Sequence, residues 1–237
     1  MRKSIMLIAV MLLVVLLVPG CFGIITGSGN LETQEFDYSD FTKVEAHNGF
    51  QLELTESSTF SIEITVDDNV KEDLEVSKSG DTLRIRLKGN RIYSSVTLEA
   101  KITMPNLYRL DLSGGSQAGI TGFSSSHDLS LNLSGGSGVA GDITAGDADF
   151  DLSGGSHVNL EGTADDLDVN GSGGSQLQLE NFPVDNADIN LSGGGSTTVN
   201  VDGTLDVNLS GGSHVTYISN PTLGDIHLSG GSAIGEK

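Results

Sequence analysis

The chain predicts an all-β fold: a right-handed parallel β-helix, a single-stranded solenoid with rungs of about 19 residues and divergent N-terminal rungs. Three observations predict it. Ser-Gly-Gly occurs seven times between Ser113 and Ser229, at spacings of 21, 19, 19, 20, 18 and 19 residues, and six copies are followed by Ser. A unit this short cannot enclose a core alone, so each copy must bury its apolar face by stacking on its neighbours. Apolar residues alternate strictly before the repeat: Leu110 and Leu112 precede the first copy, Phe150 and Leu152 the third, Val207 and Leu209 the sixth. Period two marks a strand with one buried face. No window from Leu107 onward returns its apolar residues at the helical period.

Along one rung, a strand runs into the repeat and the repeat turns a corner. Paired glycines let the backbone turn where a Cβ would clash or φ must be positive. Gly114, Gly135, Gly154, Gly173, Gly193, Gly211 and Gly230 open these corners. Alternation then resumes, with Val158 and Leu160 in the third copy and Leu177 and Leu179 in the fourth. In the fifth copy Gly195 stands for the usual Ser, which keeps Ile189, Leu191, Thr197, Val199 and Val201 pointing inward. No helix follows the glycines, so no helix N-terminus is available to hold phosphate. Sevenfold copying argues against an activated nucleophilic serine.

Upstream, residues 1–20 resemble a bacterial lipoprotein signal peptide. Arg2 and Lys3 precede an apolar run from Ile5 to Val18, which stops at Val18-Pro19-Gly20-Cys21. That run is short for a membrane span, which needs roughly 20 residues. Cys21, the only cysteine, is the expected lipidation site, so the mature chain is expected outside the cytoplasm, membrane-anchored and without an internal disulfide. Residues 21–30 read as a Gly-containing tether, 31–105 as divergent N-terminal β-rungs and 106–237 as the regular β-helix. A separate small sandwich is the alternative for the second of these. Phe41, Val44, Ala46, Gly49 and Leu52 repeat the spacing of Leu107, Leu110, Leu112, Gly115 and Ala118, and Asn69 to Leu74 reads as a short helix. The last rung ends in an unpaired strand edge guarded by Glu236 and Lys237, which points to self-association through rod ends.

The whole chain carries a net charge of −20, and no Lys or Arg lies between Leu110 and Glu236. Nucleic acid and anionic lipid surfaces are therefore poor partners, since phosphate contact needs cations. Four places before the repeats stand Arg109, Ser130, Asp149, Asp168, Asp188, Asp206 and Asp225; two places before stand Asp111, Asn132, Asp151, Asn170, Asn190, Asn208 and His227. Parity turns all of these outward. Stacking would put the five aspartates in one file, each pair repelling by roughly 0.8 kcal/mol in water-like dielectric. The file reads as a solvated acidic face or as weak Ca²⁺ sites bridging successive carboxylates. The amide file reads as a ladder bonded rung to rung. His157 and His214 share a place after the corner but not adjacent rungs, which disfavours a His-metal site.

Phe41-Thr42-Lys43-Val44, Asn48-Gly49-Phe50, Met104-Pro105-Asn106-Leu107 and the Leu-Ser-Gly-Gly-Ser rungs resemble the auto-transporter adhesin head family, the head GIN domain, over about residues 33 to 232. The resemblance implies an adhesin-like role and brings no catalytic residues with it. Three functions follow. The first is a non-catalytic, lipid-anchored surface rod that contacts an extracellular protein or glycan. The second, a carbohydrate-active β-helix enzyme, needs paired carboxylates in a cleft flanked by long loops; the rungs are too even for one. The third is a self-associating envelope component.

Overall fold

The computed structural model describes residues 23–89 and 91–237. The expected signal peptide and Cys21 lie outside them. Two sheets of ten and eleven strands run the length of a β-solenoid. Each regular rung gives one strand to the first sheet before its corner and one to the second sheet after it. Strands Arg109–Leu112, Leu129–Leu133, Ala148–Leu152, Asp166–Gly173, Asn186–Gly193, Thr204–Leu209 and Thr222–Leu228 lie side by side in parallel. Their partners, from Gln117–Ser124 to Ala233–Glu236, do the same in the second sheet.

Register turns the alternation into a core. Val44, Leu110, Leu131, Phe150, Val169, Ile189 and Val207 form one continuous column by Cα pairing. Each is at most 1% exposed. Burying a side chain of this kind stabilises by about 1.5–3 kcal/mol, and stacking delivers that gain at every rung. The opposite column runs Leu52, Ala118, Val139, Val158, Leu177, Thr197 and Val215. Thr197 is the polar member, and its hydroxyl is buried without a partner.

The corners are stacked as tightly as the strands. Gly173, Gly193, Gly211 and Gly230 have φ of 76°, 99°, 77° and 69°. A Cβ on any of them would lie 2.5–2.7 Å from the carbonyl oxygen of the first glycine one rung below. The same carbonyls accept the N–H of the second glycine above, as Gly174 donates to Gly154 at 2.7 Å and Gly194 to Gly173 at 2.7 Å. Glycine is required here on both counts. The second serine is buried and closes the corner: Ser116, Ser137, Ser156, Ser175 and Ser213 donate to the first serine's carbonyl at 2.7–3.0 Å. Gly195 occupies that second-serine place in the fifth rung, its carbonyl accepting His214 N–H at 2.9 Å, and parity holds around it.

At the N-terminal end both sheets continue, but stacking order departs from chain order. The rung formed by Lys43–Ala46 and Gln51–Glu56 lies between the regular rod and a rung made later, by Thr82–Leu87 and Leu98–Met104. Asn48 and Gly49, at φ 68° and 85°, make its corner. The chain winds this rung, leaves the stack, lays another beneath it and then crosses back to start the rod. Leu31–Glu35, Ser61–Asp67 and Leu74–Ser79 close the end as antiparallel strands. Asp68–Asp73 between them is a 3₁₀ helix. The expected tether is held down where it is described: Ile24–Thr26 pairs with Ile92–Ser94. The buried Asp67 carboxylate accepts Gly29 N–H at 2.6 Å and Thr97 N–H at 2.7 Å.

Candidate functional site

Two outward files on the first sheet border an axial trough of about 720 Å³. One is the file of Asp111, Asn132, Asp151, Asn170, Asn190 and Asn208; the other is the file of first corner serines from Ser113 to Ser210. Parity places both outward, and in-register stacking sets them one rung apart. Among the described residues the hydroxyls of Ser134, Ser153, Ser172, Ser192 and Ser210 make no hydrogen bond to protein. They face the trough as free donors and acceptors.

The amides do not ladder as expected. Asn170 donates to Asp168 Oδ1 and Asn190 to Asp188 Oδ1, each at 2.9 Å, and Asn132 donates to Ser130 Oγ at 3.2 Å. Each of these three amides turns along its own strand; at Asn170 and Asn190 the acceptor is an ionised carboxylate, stronger than the next amide. The rung-to-rung ladder stands instead at the strand starts. Asp128, Asp147, Asp166 and Asn186 each accept the backbone N–H of the rung above, at 2.9–3.3 Å.

Asp149, Asp168, Asp188 and Asp206 pair Cα to Cα in one file. They border a second hollow of about 580 Å³ with Asp128, Asp147 and Asp166. Asp225 leaves the file. A bulge between Leu205 and Val207 slips the last strand, and Asp225 N–H donates to Asp206 Oδ1 at 2.5 Å. Partial burial, then the charges of Asp188, Asp149 and Asp151, push the Asp168 carboxyl above its ordinary value against the hydrogen bond from Asn170. Among the described residues no three His, Cys, Asp or Glu side chains gather to hold a metal ion. The carboxylates form a line, and the neighbouring amides point N–H groups at them rather than oxygens into a shared site. His157 pairs with Gly138 and Gln176, and His214 with Ser196 and Ala233, so the two do not meet.

One grouping at the N-terminal end of the trough escaped the sequence reading. His47 is aligned with Ser113 because Ala46 pairs with Leu112. His47 Nδ1 and Ser113 Oγ share a short hydrogen bond, and His47 Nε2 lies 2.7 Å from Glu45 Oε1. Glu45 Oε2 in turn accepts Arg84 Nε at 2.7 Å and Nη2 at 2.6 Å. Burial works to raise the Glu45 carboxyl, but the hydrogen bonds from Arg84 and His47, with their charges, hold it below its ordinary value. The matched spacing of Gly49 and Gly115 was the signal that could have found this pairing.

The connections along the rod are one to four residues long, which leaves no loops to wall a deep cleft. Gly162 to Asp168, the nearest the sequence comes to an acidic bend that could edge a cleft, is mostly strand.

A search of the curated proteins finds no match. Among solved structures, a putative adhesin from Bacteroides fragilis superposes with a TM-score of 0.83 at 20% identity, covering 90% of this chain and 100% of that one. A putative lipid binding protein from Parabacteroides distasonis gives 0.70 at 20% identity, over 90% and 99% of the two chains. A putative adhesin from Parabacteroides merdae gives 0.61 at 18%, over 90% and 99%. At such identities the likeness is one of fold. The family model described as putative auto-transporter adhesin, head GIN domain, matches residues 40–221. The corners, the register and that match agree, and the chain belongs to the head GIN domain family.

Proposed function

We propose that the chain is an exported, adhesin-like surface protein, held to the membrane by a lipid on Cys21, whose trough-bearing face contacts an extended polar partner. The observation that carries the reading is the axial trough, with a corner serine at every rung from Ser113 to Ser210 and an outward amide at four of those six rungs. A periodic array of this kind favours a partner that is itself periodic, a glycan chain or an extended extracellular protein segment. Contact is by hydrogen bonds, since among the described residues no Phe, Tyr or Trp lines the trough for a sugar ring to stack on. Each contact is therefore weak, and affinity grows with the number of rungs engaged. Among the described residues no helix is long and apolar enough to cross a membrane. The proposal of a lipid anchor rests on the Val18 to Cys21 boundary in the sequence.

The test is a glycan and matrix-protein binding array probed with the purified chain and with a triple variant, Ser153→Ala, Ser172→Ala and Ser192→Ala. We expect a ligand whose binding falls at least tenfold in the triple variant while the thermal midpoint stays put. Binding that ignores the trough serines refutes the assignment of this face. Labelling of whole cells with radioactive palmitate, with and without Cys21→Ala, tests the anchor separately.

A further inference from the structure

Corner serines recur throughout the rod, but one of them differs in its surroundings. Ser113 alone has a histidine against its hydroxyl, and that histidine is fixed from its far side by a carboxylate. Ser134, Ser153, Ser172, Ser192 and Ser210, at the same place one to five rungs on, have no such partner among the described residues. Glu45 is about one-fifth exposed at its side chain and is itself tied to Arg84. Its oxygen on Nε2 selects the tautomer that leaves Nδ1 as the acceptor facing Ser113. The chain is nucleophile, base and orienting carboxylate, the logic of an activated hydroxyl.

We propose that Ser113, His47 and Glu45 form a hydrolytic site for uncharged carboxylic esters, such as the O-acyl groups of a polar polymer lying in the trough. Ser113 Oγ attacks the ester carbonyl carbon as its proton passes to His47 Nδ1. The carbonyl–oxygen bond to the alcohol breaks, and the leaving oxygen takes that proton. Water then attacks the acyl-serine, giving its proton through His47 back to Ser113 Oγ and releasing the carboxylic acid. Asp111 and Asp151 in the same trough disfavour anionic acyl groups. Glu45 is a positioning residue. The site stands whether or not the trough serves adhesion.

The purified chain is treated with a fluorophosphonate probe, digested and weighed, and its rate on p-nitrophenyl acetate is measured. We expect one adduct, on Ser113. Ser113→Ala and His47→Ala should each remove the label and lower turnover about 100-fold or more. Ser229→Ala, at the last corner and outside the trough lining, should change neither. Glu45→Gln should lower kcat with KM unchanged. A folded wild-type chain that takes no label overturns the assignment. So does an adduct spread over several corner serines, labelling that survives His47→Ala, or turnover no higher than that of Ser113→Ala.

Discussion

The cap at the N-terminal end and the rod that follows it share two sheets and one core, yet they are held together differently. In the cap, side chains fix the order of the chain. Arg86 meets Glu75 at 2.8 Å across the antiparallel pair Leu74–Ser79 and Thr82–Leu87, Arg91 meets Asp73 of the 3₁₀ helix at 2.8 Å, and Lys71 of that helix meets Glu32. In the rod there is almost no cation to pair, and the backbone carries the specificity. From Ser172 onward each corner seats on the one below through glycine N–H and carbonyl groups. A repeat needs only local rules, because every rung finds its register from the rung beneath it. An end cannot do that. It must cover an edge with a unique set of antiparallel strands, and unique strands need unique side chains.

The largest effect we expect comes from testing the rod's rule directly. Gly173→Ala places a Cβ 2.6 Å from the Gly154 carbonyl oxygen at a φ of 76°. Gly155, the second glycine of the third corner, has open space around its Cβ position. Urea unfolding should show a loss of about 3 kcal/mol or more for Gly173→Ala. Gly155→Ala should stay within about 1 kcal/mol of wild type. Equal losses would mean that corner stacking is not what sets register.

Next in size is the cap's own anchor. Asp67 is buried, and Asp67→Ala leaves the N–H groups of Gly29 and Thr97 without their acceptor. Each such group costs about 1–3 kcal/mol; we expect a loss in that range, read as faster amide exchange at Gly29 and Thr97. The pH dependence has a definite sign. The hydrogen bond from Thr97, then that from Gly29, hold the Asp67 carboxyl below its ordinary value. Its contribution is complete above the unfolded carboxylate range and is lost as pH falls through the lower folded value. Acid should therefore loosen the cap before the rod. Amide exchange across both regions at falling pH checks this; simultaneous loosening would contradict it.

The sequence made the rod legible because alternation, corner glycines and even spacing all repeat the same physical instruction. The equivalence of Val44, Ala46 and Leu52 with Leu110, Leu112 and Ala118 was legible for the same reason, and register confirms it. The antiparallel closure was not. Phe60 to Val66 and Val96 to Met104 alternate like any rung strand, and period two is silent on direction. The backward step in stacking order left no mark in the sequence, since it depends on which edge each strand finds. At the trough, the outward files were readable by parity, but side-chain direction within them was not. Asn170 and Asn190 choose the carboxylate two residues back over the next amide. Asp225 left its file because one extra residue bulges the last strand.

The smallest effect distinguishes the two regions by opposite response to acid. Asp168 stands in a file of like charges, and its carboxyl is raised above its ordinary value by burial and then by Asp188, Asp149 and Asp151. A carboxyl raised in the folded state withdraws stability as pH rises through that value and returns it as pH falls. That is the reverse of Asp67. Asp168→Asn removes the repulsion and should stabilise the chain at neutral pH, by no more than about 0.5 kcal/mol at so exposed a place. The gain should vanish at a pH below the ordinary carboxylate range and shrink with added salt, which screens exposed charges. Urea midpoints at neutral and acid pH, in low and high salt with chelator present, measure it. The same comparison with millimolar calcium in place of chelator decides what the file is. If Asp168→Asn then destabilises the chain, the carboxylates are holding the cation; if it still stabilises, the acidic face acts through repulsion alone.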